Sequence, residues 1–317
     1  MKPIWSYNAE LHKHAFLMKL VRLRYFVAVA EELSFTRAAA KLRVAQPALS
    51  RQIRILENEV GVELLVRDGR AFKLTPAGEV LSEEGAIILA HYALATQRAR
   101  DAANRNSTVR VGIGFGLAGH VDKVVTSHAE STADVHVQLQ NIPSTAQNLA
   151  LKRCEIDIGF LRPPVDAGYL SCHFLFEERL SVLVPAVPPF TRYKSVRLSQ
   201  LANLPLLLPP RSLSSGLYDR ILDLYRLRGI TPAVIHTPHS GPGEESGHML
   251  VASRKGFYIV YASLAIFPVF TKRVKVLPLD EPDAKISVYV AWRNDEKSSD
   301  VLNFLRTVRG LFEINDV

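Results

Sequence analysis

Apolar positions near the N-terminus repeat at helical spacing. Leu20, Leu23, Phe26, Val27, Ala30 and Leu33 fall three or four apart, which predicts an amphipathic helix over 20–33. Ser34 stands where an N-cap starts a second helix over 35–42, and Ala38, Ala39 and Ala40 let another helix come close. After the turn Arg43-Val44-Ala45, Gln46-Pro47 opens a third helix over 47–60, because a first helical turn tolerates proline. Leu49, Ile53 and Leu56 form its inner stripe, and Gly61 ends it. Two short strand-like runs, 64–67 and 71–74, flank Asp68-Gly69, a hairpin signal. Three short helices and a hairpin predict a winged helix-turn-helix over 18–75.

Thr75-Pro76 starts a longer helix, 76–105. Val80, Ile87 and Leu94 repeat every seven residues, as do Leu81, Ile88 and Ala95, so this helix is expected to pack against a partner helix. Its place between two domains favours a partner from a second subunit over its own chain. The polar run 104–107 follows. Beyond it VRVGIGF, DVHVQLQ, EIDIGFL, LSVLVP, LPLLLP, GFYIVYA and ISVYVAW read as strands, with a helix near 144–153. This predicts an α/β domain over 109–317 with a mainly parallel sheet.

Length and composition narrow the function. A chain of 317 residues is long for one core, and its 48% hydrophobic and 22% charged content is that of an ordinary soluble protein. The net charge of +8 favours an anionic partner, nucleic acid first. Residues 1–105 hold 16 Lys/Arg against 11 Asp/Glu, so the excess is densest there. Two cysteines, Cys154 and Cys172, make no disulfide framework, which points to a reduced, cytoplasmic setting. No apolar run nears the roughly 18–20 residues of a membrane span, and the first residues lack the apolar core of a signal peptide.

The stretch from Met18 to about Leu81 resembles the LysR family of bacterial transcription regulators. The residues that carry the resemblance are LRYF (23–26), SFTRAAAKL (34–42), VAQPALSRQIRILE (44–57), GVELLVR (61–67), Arg70 and LTPAG (74–78). EIDIGFLR (155–162) and LVASRKGFYIV (250–260) extend it, more loosely, to about residue 312. Family chains usually begin near Met18, so residues 1–17 are an extension or an upstream start. Leu65 stands where phenylalanine is usual, Cys154 where glycine usually closes a helix, and Arg254-Lys255 where small residues are usual.

The resemblance implies a regulator and not an enzyme: it binds a double-stranded DNA operator, senses a small-molecule effector, and assembles as a homodimer and then a homotetramer. RNA polymerase is a candidate further contact. Side chains at the start of a helix in the major groove reach base edges, which selects Gln46, Pro47, Ser50 and Arg51. Thr36, Arg37 and Arg54 suit phosphate contacts, and Arg67 and Arg70 flank the wing. Singly, each arginine equally fits a solvated helix face.

The implied effector domain resembles a periplasmic binding protein, two α/β subdomains with ligand between them, the second over about 163–266. Ligands in such sheets sit at strand carboxyl ends against helix N-termini. The candidate wall is therefore Phe115, Gly116, Leu117, Asn141, Ser144, Phe160 and Arg162, faced by Pro209 and Arg211. Helix amides with one arginine suit a small organic acid. Phe115 and Phe160 fit either a ligand's apolar body or a packed core.

Three other chemistries compete. Gly114-Phe115-Gly116-Leu117-Ala118-Gly119 is a literal GxGxxG between a strand and a helix, but the acid that would bind a ribose is missing where the next strand ends in Gln140-Asn141. His236, His239, His248, Glu244 and Glu245 crowd one segment without a compact zinc spacing. Cys154 and Cys172 could form a redox switch, as in some members of the family, or serve as packing. No cofactor, metal or catalytic residue is expected.

Overall fold

The computed structural model describes residues 5–68, 71–104, 107–132, 135–237, 245–263 and 272–312. The chain forms two compact units that divide between Ala103 and Asn104.

The first unit contains α1 (Trp5–Glu32), α2 (Phe35–Leu42), α3 (Gln46–Val60), β1 (Leu65–Asp68), β2 (Ala71–Leu74) and α4 (Pro76–Asn104). Helix α1 begins well before Leu20, because residues 5–19 contain neither glycine nor proline to stop it. The Ser34 hydroxyl accepts from the Arg37 amide at 3.3 Å and caps α2. Helix α3 ends at Gly61, φ 83°, whose amide donates to the Glu57 carbonyl at 2.8 Å. The Glu57 carboxylate accepts from the Leu64 and Leu65 amides at 3.0 and 3.2 Å, which ties the antiparallel β1–β2 hairpin to α3. Phe26, Val29, Ala38, Ala39, Leu49, Ile53, Leu56 and Leu64 share one core. Arg22 of α1 donates to Gln52 at 3.1 Å and pairs with Glu59 at 2.6 Å, fixing the outer side of α3. At the start of α4, a Cβ on Gly78 would lie 2.1 Å from the Leu64 carbonyl oxygen, so only glycine permits this approach. Val80, Ile88 and Tyr92 of α4 stay exposed.

The second unit is two lobes threaded by one long strand. Lobe 1 holds β3 (Ser107–Ile113), α5 (Ala118–Ser131), β4 (Val135–Asn141), α6 (Ser144–Lys152), β5 (Ile158–Leu161) and, at the end of the chain, β11 (Lys285–Arg293) and α9 (Ser299–Leu311). Strand β6 (Leu170–Pro185) pairs with β11 through Arg179 and then, from Leu180, with β9 (Tyr258–Tyr261) and β10 (Val274–Pro278) of lobe 2. Lobe 2 adds β7 (Leu206–Leu208), α7 (Ser215–Arg226), β8 (Val234–His236) and α8 (Glu245–Ala252). The changeover therefore lies at Leu180 and the return at Lys285, not at 163 and 266. The expected boundary missed the first half of β6, whose alternating polar residues hide a strand.

The sheet is mixed, which corrects the mainly parallel expectation. β3 runs parallel to β4 and β5, while β11 and β6 are antiparallel to their neighbours. Side-chain period marks a strand but not its direction. Lobe 1 closes on Val109, Val111, Val121, Ile158, Val290, Phe304 and their neighbours; lobe 2 on Leu180, Leu206, Ile221, Phe257 and theirs.

Candidate functional site

In the first unit, burial of Leu49, Ile53 and Leu56 turns the opposite face of α3 outward. Gln46, Pro47, Arg51 and Arg54 are exposed and Ser50 is half-buried, so all five share the front and outer face of α3. Thr36 and Arg37 are exposed at the start of α2. Arg37 is not free: its guanidinium donates to the Glu32 carboxylate at 3.4 Å and to the Glu32 carbonyl. Lys41 also reaches Glu32, at 3.2 Å, and together the two cations hold that carboxyl below its ordinary value, Lys41 foremost. Arg70 and the Arg67 side chain lie outside the described residues.

In the second unit a cavity of about 290 Å³ opens between the lobes. Lobe 1 contributes Phe115, Pro143, Ser144 and Arg162; lobe 2 contributes Pro209, Leu213, Tyr218, Tyr261 and other apolar side chains. Helices α6 and α7 both start at its wall, at Ser144 and beside Ser214, so their partly positive ends border it.

Arg162, directly after β5, is the chemical centre. It is 1% exposed. Its amide donates to the Ser144 hydroxyl at 3.1 Å, and its Nη1 donates to the Phe115 carbonyl at 2.7 Å. Nε and Nη2 both donate to Oε2 of Glu178, on the lobe 1 part of β6. The guanidinium carbon lies 3.5 Å from the centre of the Tyr261 ring on β9. Glu178 in turn accepts from the Ser263 amide of lobe 2 at 3.0 Å. The Tyr261 hydroxyl meets Ser214 at 2.8 Å, and burial pushes its pKa up despite the opposing Arg162 charge. Gly116, φ 78°, passes so close that a Cβ there would lie 2.6 Å from the Ser263 hydroxyl.

Of the residues expected from sequence, Phe115, Ser144, Arg162 and Pro209 line the cavity and Gly116 borders its polar end. Leu117 and Phe160 do not; both are 1% exposed in the lobe 1 core, because strand alternation turns Phe160 inward. Asn141 is exposed at the end of β4 and is not part of the lining. Arg211 is also outside the lining and is held by two bonds to Asp219, at 2.8 and 2.7 Å, on the surface. Glu178, Ser214, Tyr218 and Tyr261 were not foreseen; only their pairing across the fold brings them to the site.

The glycine-rich turn serves packing. A Cβ on Gly114 would meet the Ser144 hydroxyl at 2.9 Å, whereas Gly119 has open space around it. A dinucleotide fingerprint uses that third glycine for close helix–strand contact. His236 is exposed and His248 buried, while His239 and Glu244 lie outside the described residues. Among the described residues no cluster of three or more His, Cys, Asp or Glu could hold a metal. Cys154 is buried, and burial pushes the Cys172 thiol up, opposite to thiolate activation. No helix among the described residues is long and apolar enough to cross a membrane.

Comparison with known families decides the identity. Residues 20–79 match the model of the bacterial regulatory helix-turn-helix protein, lysR family, and residues 102–313 match the LysR substrate binding domain. The chain belongs to the LysR family. It is a DNA-binding transcription regulator with an effector-binding domain, and the relatives are regulators, not enzymes. It is 33% identical to the HTH-type transcriptional regulator BenM of Acinetobacter baylyi, over 93% of this chain and 96% of that protein. Its fold is similar to the crystal structure of CbnR, a LysR family regulator, with TM-score 0.69, 24% identity, and 92% and 99% of the two chains covered. The second unit is also similar to the BenM effector binding domain with its effector benzoate, with TM-score 0.56, 26% identity, and 65% of this chain and 92% of that one covered. In this LysR chain the exposed face of α3 lies in the stretch that matches the helix-turn-helix model, and the Arg162 cavity in the stretch that matches the substrate binding domain.

Proposed function

We propose that this regulator reads its operator with α3 and changes its hold on DNA, or its activation of the promoter, when a small organic acid enters the Arg162 cavity. The observation that carries the effector half is the asymmetry of the cavity, with an arginine and helix N-termini at one end and an apolar wall opposite. A carboxylate suits the first and an apolar body the second. Benzoate, the effector named for the BenM domain, has this build.

At the operator, Gln46, Pro47, Ser50 and Arg51 face base edges, Thr36, Arg37 and Arg54 phosphates, and Arg67 and Arg70 the groove beside the wing. Exposed Val80, Ile88 and Tyr92 on α4 support a homodimer joined through this helix, and a homotetramer built from it. Ligand acts by favouring one angle between lobes, through its different affinity for the two arrangements. RNA polymerase is the partner for activation, and the reduced cytoplasm the setting.

Footprinting on the chain's own upstream DNA across a salt series tests this reading. A discrete site that weakens steeply with salt is expected, because phosphate contacts release counterions. An added aromatic acid is expected to change the footprint or the DNA bend. Protection no better than on random DNA, or a footprint and bend indifferent to every acid tried, would overturn it.

A further inference from the structure

The cavity's charge count narrows the ligand further, on the proposal that this cavity is the effector site. Arg162 is the only charged residue in the described lining. The one cation is already neutralised by Glu178, which is itself buried and whose two oxygens both accept hydrogen bonds. Arg162 keeps one N–H on each terminal nitrogen beyond its bonds to Glu178 and Phe115, enough to orient one more acceptor. The starting ends of α6 and α7 supply the remaining positive potential, which is partial and not a full charge.

The opposite wall is Leu208, Pro210, Leu213, Leu217, Ile221 and Ile259. These six side chains carry no hydrogen-bond donor. Tyr218 and the Ser214–Tyr261 pair are its polar groups, and the latter two already bond each other. A second carboxylate placed there would lose its water without a charged partner, a cost that grows steeply in an apolar site. The volume of about 290 Å³ also lies at the small end of ligand pockets.

We infer that this site takes a monocarboxylic acid with a single compact apolar or aromatic body, its acid group toward Ser144 and Arg162, and that it rejects dicarboxylates of the same shape. Lobe 2 sets this selectivity through the absence of a cation among the described residues of its wall.

The test uses the full-length chain and three probes that share one ring: benzoate, terephthalate and benzamide, each titrated by calorimetry. Benzoate is expected to bind, with terephthalate weaker by about tenfold or more, and benzamide weaker than benzoate. Terephthalate as tight as benzoate would overturn the single-acid inference and leave the organic-acid reading standing. Benzamide equal to benzoate would overturn the organic-acid reading itself, and absence of binding by all three would overturn both. Leu213→Arg supplies the missing cation at an exposed lining position. This variant is expected to gain terephthalate affinity. Continued rejection by a folded Leu213→Arg would show that charge is not the cause, and the inference would fall.

Discussion

Arg162 and Glu178 form an ion pair that is closed off from water, with Nε 3.1 Å from Oε2 and side chains 1% and 5% exposed. The pair holds the polar end of the cavity, and the Ser263 amide binds the other carboxylate oxygen from lobe 2. Removing one partner strands the other as an unpaired buried charge. Glu178→Ala is therefore expected to destabilise the second unit by about 3–5 kcal/mol, whereas Arg162→Met with Glu178→Leu keeps much of the stability. Urea unfolding of the two variants measures this. A loss below about 1 kcal/mol for Glu178→Ala would mean that the pair behaves like an exposed one.

Glu32 tempers the side of the first unit that is proposed to face DNA. It pairs with Arg37 at 3.4 Å and Lys41 at 3.2 Å, so a phosphate must compete for both cations. Glu32→Gln keeps the size and removes this competitor, while Lys41 keeps its 3.1 Å pair with Glu31. DNA affinity should rise, and the slope of log K against log salt should steepen by about 0.9 if one more phosphate is neutralised. An unchanged slope would place Arg37 and Lys41 away from DNA.

Acid should loosen lobe 1 through His128. This residue is 1% exposed, packs against Phe304 with ring centres 5.0 Å apart, and lies 3.2 Å from the Thr307 hydroxyl. Burial lowers its pKa from the ordinary 6.5, although Asp300 pulls the other way. The unfolded chain thus takes up the proton first as pH falls. Stability is full above about 6.5 and declines as pH drops from there toward the lower folded value. His120 acts in the same direction, with burial the main cause and Glu178 opposing. His128→Gln should flatten the urea midpoint between pH 7 and 5. A wild-type profile that is level across this interval would show that neither histidine is held neutral by the fold.

The parts of the fold that were legible in sequence obey local rules. Ser34, Pro47, Gly61 and Thr75 mark helix ends through their own chemistry, and the helices of the first unit stop or start within a residue of them. The first half of β6 was not legible. Its Glu177 and Glu178 look like a solvated loop until Lys285 and Arg162 meet them, and those partners lie 108 and 16 residues away. The same limit applies to the cavity. Arg162 and Ser144 follow from strand and helix ends, but Tyr261 sits inside a run that reads simply as strand. Arg211 misled because Asp219, eight residues on, captures it before any ligand could.

Two helix ends of the second unit carry a strain that glycine would relieve. Cys154 closes α6 at φ 54° and Arg254 closes α8 at φ 59°, both in the left-handed region that favours glycine. The Arg254 amide donates to the Val251 carbonyl at 2.9 Å and the Lys255 amide to Leu250 at 3.0 Å, so the backbone needs this turn whatever the side chain. Arg254 is exposed and makes no contribution to the core, whereas Cys154 is buried and would leave space behind. A left-handed conformation costs a non-glycine residue about 1–2 kcal/mol, partly offset by the extra freedom of an unfolded glycine. Arg254→Gly is expected to raise stability by about 0.5–1 kcal/mol, while Cys154→Gly gains less because burial is lost. Thermal unfolding of the two variants beside the parent measures the order. If Arg254→Gly lowered the midpoint, the arginine would be holding the turn through its side chain, and the strain account would be wrong.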